Sequence, residues 1–204
     1  TCVDKFVYCE AKRLSPEAPI PILNPSHQTT NHGMAGNTAA NVLALVPDAK
    51  LMKCMQEELI TKIRYVESKS NHMFLRVDEG EEDIKPFKWN WEVDLMLSQA
   101  DIVIVSDYNK GFLNNLDLKE IALKSKLSIL DSKRQLTDDI IKDFTFVKLN
   151  ESERNNNPNL TTRNIITTLG KKGAYYNGEL FESPNPQDTI DVSGAGDTFT
   201  AAFI

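Results

Sequence analysis

The sequence lacks any run of apolar residues that approaches the ~18 needed for a membrane-spanning helix, and it contains no recognisable signal peptide. It also lacks an excess of basic residues. Its formal net charge of −6 and its pI of about 5.2 argue against a nucleic-acid-binding protein that relies on phosphate contacts. We therefore expect a cytoplasmic protein with no nucleic acid and no membrane among its partners.

Cysteine and histidine are both scarce, with three residues of each. The cysteines are Cys2, Cys9 and Cys54. Their odd number and irregular spacing favour reduced thiols over a disulfide framework. Neither the cysteines nor the histidines match a metal-ligand pattern, so these residue types do not predict a metal site.

What the sequence does contain is the alternating pattern of an α/β protein. From Glu92 onward, short apolar runs alternate with segments of helical spacing. The predicted strands are 101–106, 127–131, 146–149 and 165–169, followed by a hairpin over 174–181. Because strands that alternate with helices usually form parallel sheets, we expect a mostly parallel sheet with helices on its faces. Ligands of such sheets bind beyond the carboxyl ends of the strands.

The first part of the chain has a different pattern. Extended segments within about 4–25 and 60–78 predict a small β-layer that projects from the main sheet as a lid. The α/β core is predicted over about 31–50 and 92–204, with its first helix running through Leu45. A chain of 204 residues with 41% hydrophobic content can bury one sizeable core, so we expect 1–204 to form a single domain.

The most informative segment runs from Asp191 to Phe199 and reads D-V-S-G-A-G-D-T-F. Gly194 and Gly196 permit a tight turn, and the residues after them favour a helix whose first N–H groups attract an anion. Asp197 would lie in the first turn of that helix, beside the anion. The pattern suits a reaction that stabilises phosphate charge and removes a proton from a hydroxyl. A glycine-rich turn without chemistry is the alternative.

This segment resembles the D-T-x-G-A-G-D signature of the ribokinase-like (PfkB) carbohydrate kinases, and it departs from that signature at Val192 and Ser193. Six further segments resemble, in family order, the heptose 7-phosphate kinase domain used in making ADP-heptose. They are 13–21 (R-L-S-P-E-A-P-I-P), 33–37 (G-M-A-G-N), 61–65 (T-K-I-R-Y), 75–78 (L-R-V-D), 106–111 (S-D-Y-N-K-G) and 131–133 (D-S-K). The resemblance implies a ribokinase-like three-layer α/β sandwich with a mostly parallel sheet and a small projecting β-lid.

The resemblance also implies an activity. It is the ATP-dependent phosphorylation of heptose 7-phosphate at its anomeric hydroxyl, on the way to lipopolysaccharide precursors, with Mg²⁺ as a further cofactor. The alternatives are another sugar kinase of the family, fructokinase- or ribokinase-like, and a catalytically incomplete ligand-binding relative. A homodimer through the lid is implied as well. Because the family has more structure at both ends and between Lys50 and Thr61, we expect a shortened relative, a fragment or a chain with segments missing.

Roles in catalysis and sugar binding are carried over from the family position by position. Asp197 would be the general base, and the N–H groups around Gly194, Ala195 and Gly196 would hold the developing phosphate charge. The residues implied to bind the sugar are Asp4, Gly33 and Asn37. The cations implied to bind its phosphate group are Arg13, Arg64, Arg76, Lys110 and Lys133. Solvated strand residues are an equal interpretation of Arg64 and Arg76.

A second group of residues is implied to hold the nucleotide and its metal. The nucleotide contacts would come from Asn150, Thr168, Gly170, Gly173 and Asp191. Asn150 and Glu153, in the family's N-x-x-E pattern, would organise Mg²⁺ through water molecules, because Mg²⁺ prefers hard oxygen ligands. Without the other motifs, an ordinary polar loop would be the simpler interpretation of this pair.

Overall fold

The computed structural model describes residues 1–186 and 194–203, which form ten strands and six helices. The strands are β1 (Cys2–Leu14), β2 (Pro21–Gly33), β3 (Thr61–Glu67), β4 (Met73–Glu79), β5 (Val103–Asp107), β6 (Ser128–Ser132), β7 (Phe146–Asn150), β8 (Ile165–Thr168), β9 (Ala174–Tyr176) and β10 (Glu179–Phe181). The helices are α1 (Ala35–Leu45), α2 (Trp91–Gln99), α3 (Asn115–Lys124), α4 (Asp138–Ile141), α5 (Glu151–Asn156) and α6 (Ala195–Ala202). None of these described helices has the length and apolar character needed to cross a membrane.

The larger sheet has six strands in the order β10-β9-β8-β7-β6-β5. Strands β5 to β8 are parallel to one another, and β9 and β10 form an antiparallel hairpin at one edge. The hairpin turns at Asn177 and Gly178, whose φ angles of 49° and 90° are the positive values that a type I′ turn requires. The predicted sheet, mostly parallel with a hairpin after it, is confirmed.

Helices cover both faces of this sheet, and the alternation of side chains makes one face apolar and the other partly polar. Helices α2, α3 and α4 pack on the face that presents Val105, Leu130 and Leu149, and form the main hydrophobic core there. Each buried aliphatic side chain of this kind stabilises the fold by roughly 1.5–3 kcal/mol. On the opposite face α1 and α6 pack together over the buried residues Asp131 and Lys148. The three-layer sandwich is confirmed, and its polar face positions the candidate site.

The smaller sheet has the order β2-β1-β3-β4 and forms the lid. The pair β1–β3 is parallel, whereas β1–β2 and β3–β4 are antiparallel. Pro21 and Pro25 lie in β2, an edge strand, where a missing N–H can face away from the sheet. Strand β2 continues to Gly33, beyond residue 25, at which the predicted lid segment ends. Residues 26–33 are polar and mostly exposed, so only their pairing with β1 reveals them as strand.

Candidate active site

Asp197 lies in the first turn of α6 and is almost fully buried. Its carboxylate accepts two hydrogen bonds from distant parts of the chain. Asn37 Nδ2, in α1, donates to Oδ2 over 2.9 Å, and the hydroxyl of Tyr108, just beyond β5, donates to Oδ1 over 3.0 Å. Both carboxylate oxygens are therefore oriented. Two residues that the sequence assigned to one site, Asn37 and Asp197, are in direct contact.

Tyr108 belongs to a motif that the sequence analysis quoted, but no role was assigned to it. Burial raises the pKa of its hydroxyl far above the ordinary value, and the neighbouring Asp197 carboxylate raises it further. The hydroxyl therefore remains protonated at physiological pH and acts as a hydrogen-bond donor. Its position directly after a parallel strand is the signal that could have identified it, because ligand sites of α/β sheets gather there.

The start of α6 is crowded at both of its glycines. Gly194 has a φ of +80°, and a Cβ on it would lie 2.8 Å from Asn37 Nδ2. A Cβ on Gly196 would lie 2.8 Å from Lys148 Nζ. Ala195 is the first helical residue, so the N–H groups of this turn form the positive end of the helix dipole. The turn has the geometry of an anion cradle, and its role in phosphate binding stays a prediction.

A buried ion pair lies directly beneath this turn. Lys148 Nζ, in β7, donates to Asp131 Oδ2 in β6 over 2.9 Å, and Thr200 in α6 donates to the same oxygen over 3.2 Å. Burial raises the pKa of the Asp131 carboxyl, and the Lys148 ammonium opposes that shift. Lys148 is not among the residues predicted from the sequence. The available signal was a charged residue within an apolar strand, which needs a buried partner.

Asp4 and Gly33 meet where the lid joins the core. Strands β1 and β2 run side by side there, and a Cβ on Gly33 would lie 2.1 Å from Asp4 Oδ2. The Asp4 carboxylate also pairs with the guanidinium of Arg64 in β3. Gly33 is followed by Met34 and by α1, which carries Asn37 in its first turn. The predicted sugar-binding residues Asp4, Gly33 and Asn37 therefore form a series that leads from the lid to Asp197.

The arginines of the lid are not all near one another. Arg76 lies opposite Arg64 in the β3–β4 pair, and its guanidinium donates two hydrogen bonds of 2.6 Å to Asp78. Arg13 is exposed near the far end of β1, nine residues along the strand from Asp4. At the rise of a β-strand this separation is about 30 Å. Within one chain the structure does not bring Arg13 to the other predicted sugar-binding residues.

The two predicted lysines have different surroundings. The Lys110 ammonium pairs with the Glu81 carboxylate. The Lys133 ammonium lies 4.3 Å from the centroid of the Tyr108 ring, the same ring whose hydroxyl reaches Asp197. Lys133 is therefore the predicted cation that is linked most directly to the proposed base.

Asn150 and Glu153 form the capping box of α5. Asn150 Oδ1 accepts from the Glu153 N–H over 2.8 Å, and Glu153 Oε2 accepts from the Asn150 N–H over 2.7 Å. These contacts give the N-x-x-E pattern a structural reason of its own. Thr168 lies beside Asn150 in the sheet, at the end of the neighbouring strand β8. Their shared edge is the predicted nucleotide side, and both nucleotide roles stay predictions.

The two glycines predicted to contact the nucleotide border a 3₁₀ turn, Gly170–Lys172. Gly170 and Gly173 both have positive φ angles, of 57° and 104°. A Cβ on Gly173 would lie 2.0 Å from the Phe181 carbonyl oxygen, so the packing of β10 alone excludes a side chain there. Asp191, the remaining predicted nucleotide contact, lies outside the described residues.

Asn150 and Glu153 have the donor chemistry that Mg²⁺ requires. Among residues 1–186 and 194–203, no group of three or more His, Cys, Asp and Glu side chains could hold a metal ion. The capping box uses the single side-chain oxygen of Asn150 and one of the two carboxylate oxygens of Glu153, so the second carboxylate oxygen lies outside the box. A magnesium ion that keeps several water ligands needs only one or two protein oxygens, so the pair fits the water-mediated role predicted for it.

Comparison with known proteins identifies the family. The family described as pfkB family carbohydrate kinases matches residues 61–204. The bifunctional protein HldE of Hyphomonas neptunium is 29% identical over 258 aligned residues, which cover 98% of this chain and 53% of the relative. That of Nitrobacter winogradskyi is 33% identical over 175 residues, covering 69% of this chain and 34% of the relative. In alignments that include nearly all of this chain, the chain spans about half the length of the curated relatives that it matches.

Solved structures show the fold. The ribokinase of Arabidopsis thaliana, complexed with ribose and ATP, superposes with a TM-score of 0.66 at 15% identity, covering 99% of this chain and 81% of that one. The nucleoside kinase of Methanocaldococcus jannaschii superposes with a TM-score of 0.62 at 19% identity, covering 99% and 80%. The predicted ribokinase-like α/β fold is confirmed.

Proposed function

Because this chain belongs to the pfkB family of carbohydrate kinases, we propose that it transfers the γ-phosphoryl group of ATP to a hydroxyl of a sugar phosphate. The acceptor that we favour is the anomeric hydroxyl of heptose 7-phosphate. Support comes from the resemblance of residues 13–21, 61–65 and 106–111 to heptose 7-phosphate kinases, and from the repeated matches to HldE proteins. We place the reaction in the cytoplasm, where ATP is available.

The observation that carries the proposal is the placement of Asp197. Its carboxylate is buried at the start of α6, held by Asn37 and Tyr108, and adjoins the Gly194 turn. In the proposed step the sugar hydroxyl oxygen forms a bond to the γ-phosphorus, and the bond between that phosphorus and the bridging oxygen of ADP breaks. The hydroxyl proton passes to Asp197. ADP and the phosphorylated sugar are the products.

The turn at 194–196 would stabilise the charge that develops on the transferred phosphoryl group. Its glycines keep side chains away from the helix N-terminus, so backbone N–H groups can approach the phosphoryl oxygens. Asn150 and Glu153 would hold Mg²⁺ through water, and the ion would neutralise phosphate charge of ATP when bound.

A second copy of this chain is the partner that we propose beyond the small molecules. Leu75 and Val77 alternate along β4 and therefore share one face of the lid, where both are exposed. Met73, also exposed, precedes them on the same strand beyond a register shift. β4 is also an edge strand, with one side of its backbone available for pairing. Contact through this face would cover the apolar stripe.

The acceptor is tested by competition between heptose 7-phosphate, fructose 6-phosphate, fructose and ribose for phosphorylation by ATP. We expect heptose 7-phosphate to be preferred. A preference for a neutral sugar would remove the heptose assignment and favour a fructokinase- or ribokinase-like enzyme. No turnover with any sugar of this type would favour a catalytically incomplete relative.

Asp197→Asn tests the chemical step. Asparagine preserves the shape of the side chain but cannot accept the proton, so turnover should fall by roughly 10²–10⁴-fold while the protein still folds. Asp139→Asn, at an exposed ion pair of α4, is the matched control and should leave the rate unchanged. Near-normal turnover of the Asp197 variant would show that another group is the base.

A further inference from the structure

Most of the cations predicted to bind the phosphate group of the sugar already have an acidic partner. The pairs are Arg64 with Asp4, Arg76 with Asp78 and Lys110 with Glu81. A guanidinium or ammonium that faces a carboxylate has its charge largely compensated, so it offers less to an incoming dianion. These three cations are therefore poorly placed to supply the main attraction for a phosphate group.

Lys62 is the exception on the lid. It lies in β3, its residue is only 8% exposed, and among residues 1–186 and 194–203 no carboxylate forms an ion pair with its ammonium. Burial lowers the pKa of this group, and the nearby carboxylates of Asp4 and Glu81 oppose that shift only in part. Buried lysines are rare unless they are paired. A buried lysine without an ion-pair contact, at the edge of the candidate site, favours a ligand of opposite charge.

Lys133 approaches the same place from the core. Its ammonium lies 4.3 Å from the centroid of the Tyr108 ring, and that of Lys62 lies 5.5 Å from the same centroid. The two nitrogens can be no farther apart than the sum of those distances. Within the described part of the chain, Lys133 also has no ion-pair partner. Two ammonium groups without an ion-pair contact thus lie beside one aromatic ring.

We propose that Lys62 and Lys133 form the subsite that receives the phosphate group of the sugar phosphate, an inference that rests on the proposed function. A phosphate monoester carries a charge of about −1.5 to −2 at neutral pH, which two ammonium groups match. A neutral sugar would leave Lys62 buried without a direct ion-pair partner. The pair therefore makes the site specific for phosphorylated acceptors.

Tyr108 links the proposed phosphate subsite to the base. Its ring lies beside both lysines, while its hydroxyl donates to Asp197 over 3.0 Å. One tyrosine side chain thus lies beside the proposed phosphate subsite with its ring and binds the base with its hydroxyl. We expect the acceptor to place its phosphate group near the lysines and its reacting hydroxyl near Asp197.

The test replaces each lysine with methionine, which has a similar length but no charge. We expect Lys62→Met and Lys133→Met each to raise the KM for heptose 7-phosphate by about 10- to 100-fold, the range of a charge-assisted hydrogen bond. The kcat and the KM for ATP should change by no more than about twofold, and unphosphorylated heptose should bind equally to all variants. Lys126→Met, whose exposed ammonium lies 3.7 Å from Asp101 outside the site, is the matched control.

Calorimetric binding of heptose 7-phosphate without ATP separates the possible failures. An unchanged dissociation constant in both variants overturns the subsite even if the wild-type protein is an active kinase. If the wild-type protein shows no turnover but binds heptose 7-phosphate more tightly than the two variants do, the subsite is supported and the proposed catalysis is rejected. Equal losses for phosphorylated and neutral sugar would also overturn the inference. Thermal unfolding checks that both variants fold. If Lys62→Met is unstable, the binding result for Lys133→Met, at an exposed position, tests the subsite alone.

Discussion

Gly194, which precedes α6, and Gly196, in its first turn, are required for different reasons. Gly194 needs both a positive φ and the absence of a side chain, because Asn37 Nδ2 would lie 2.8 Å from its Cβ. Gly196 has no positive φ, and only the closeness of Lys148 excludes a side chain there. A substitution at Gly194 therefore disturbs both the backbone and the residue that orients Asp197.

Gly194→Ala should displace the backbone N–H groups of the turn and lower kcat by about 10²–10³-fold, an effect comparable to the loss of one hydrogen-bond donor to the developing charge. Gly111→Ala is the matched control, because Gly111 has a φ of +90° but no heavy atom within 4 Å of its Cβ position. The control suffers the same backbone strain, of about 1–2 kcal/mol, without the crowding. Steady-state kinetics measure the loss of kcat in each variant, and stability measurements report the backbone strain that both variants share. Equal rates in both variants would mean that no anion binds at this turn.

The buried pair of Asp131 in β6 and Lys148 in β7 joins three elements, because Thr200 in α6 also donates a hydrogen bond to Asp131. Lys148→Met should reduce the free energy of unfolding by about 3–5 kcal/mol at pH 8, because it leaves a carboxylate buried without its partner. Lys142→Met, which removes only an exposed ion pair, should cost less than about 1 kcal/mol. Urea unfolding measures both.

The loss in Lys148→Met should also depend on pH. Burial already raises the pKa of Asp131, and removing the opposing ammonium raises it further above its unfolded value. A group with a raised folded pKa contributes most stability at low pH and loses that contribution as pH rises through the folded pKa. The deficit should therefore be smaller at pH 5 than at pH 8. A deficit that is independent of pH would indicate that lost packing, not charge, is responsible.

The capping box of α5 allows its metal role to be tested separately from its structural one. Glu153→Gln keeps an oxygen for the box but removes the charge, so stability should be retained. The Mg²⁺ concentration needed for half-maximal activity should rise by about 10-fold, with the KM for the sugar unchanged. Glu151→Gln, in the same first turn, is the matched control. An effect on the sugar KM alone would contradict the metal assignment.

The elements of the core were largely predictable, because local signals define them. The strand at 101–106, the hairpin with Asn177 and the turn before α6 all follow from spacing and from turn residues. The partners of the site were not predictable, because they depend on long-range contacts. Tyr108 reaches Asp197 across 89 residues, and nothing local in the strand around Lys148 identifies Asp131 as its partner.

At the scale of the whole molecule, the apolar stripe of β4 predicts self-association. Light scattering should give the mass of a dimer, and Leu75→Glu should shift it to that of a monomer by placing a charge in the contact. Leu116→Glu, at an exposed position of α3, is the matched control and should leave the dimer intact. A monomeric wild-type protein at micromolar concentrations would reject the lid contact.

The lid and the core are interleaved along the chain. Strands β1 and β2 come first, α1 then packs on the core beside α6, and the chain returns to the lid for β3 and β4 before α2 begins. A cut after β2 leaves half of the lid attached to the core. A cut after β4 carries α1 away with the lid, together with Asn37. No single proteolytic cut can therefore release the lid as a separate fragment, and the sugar side of the site cannot be excised without dismantling the support of Asp197.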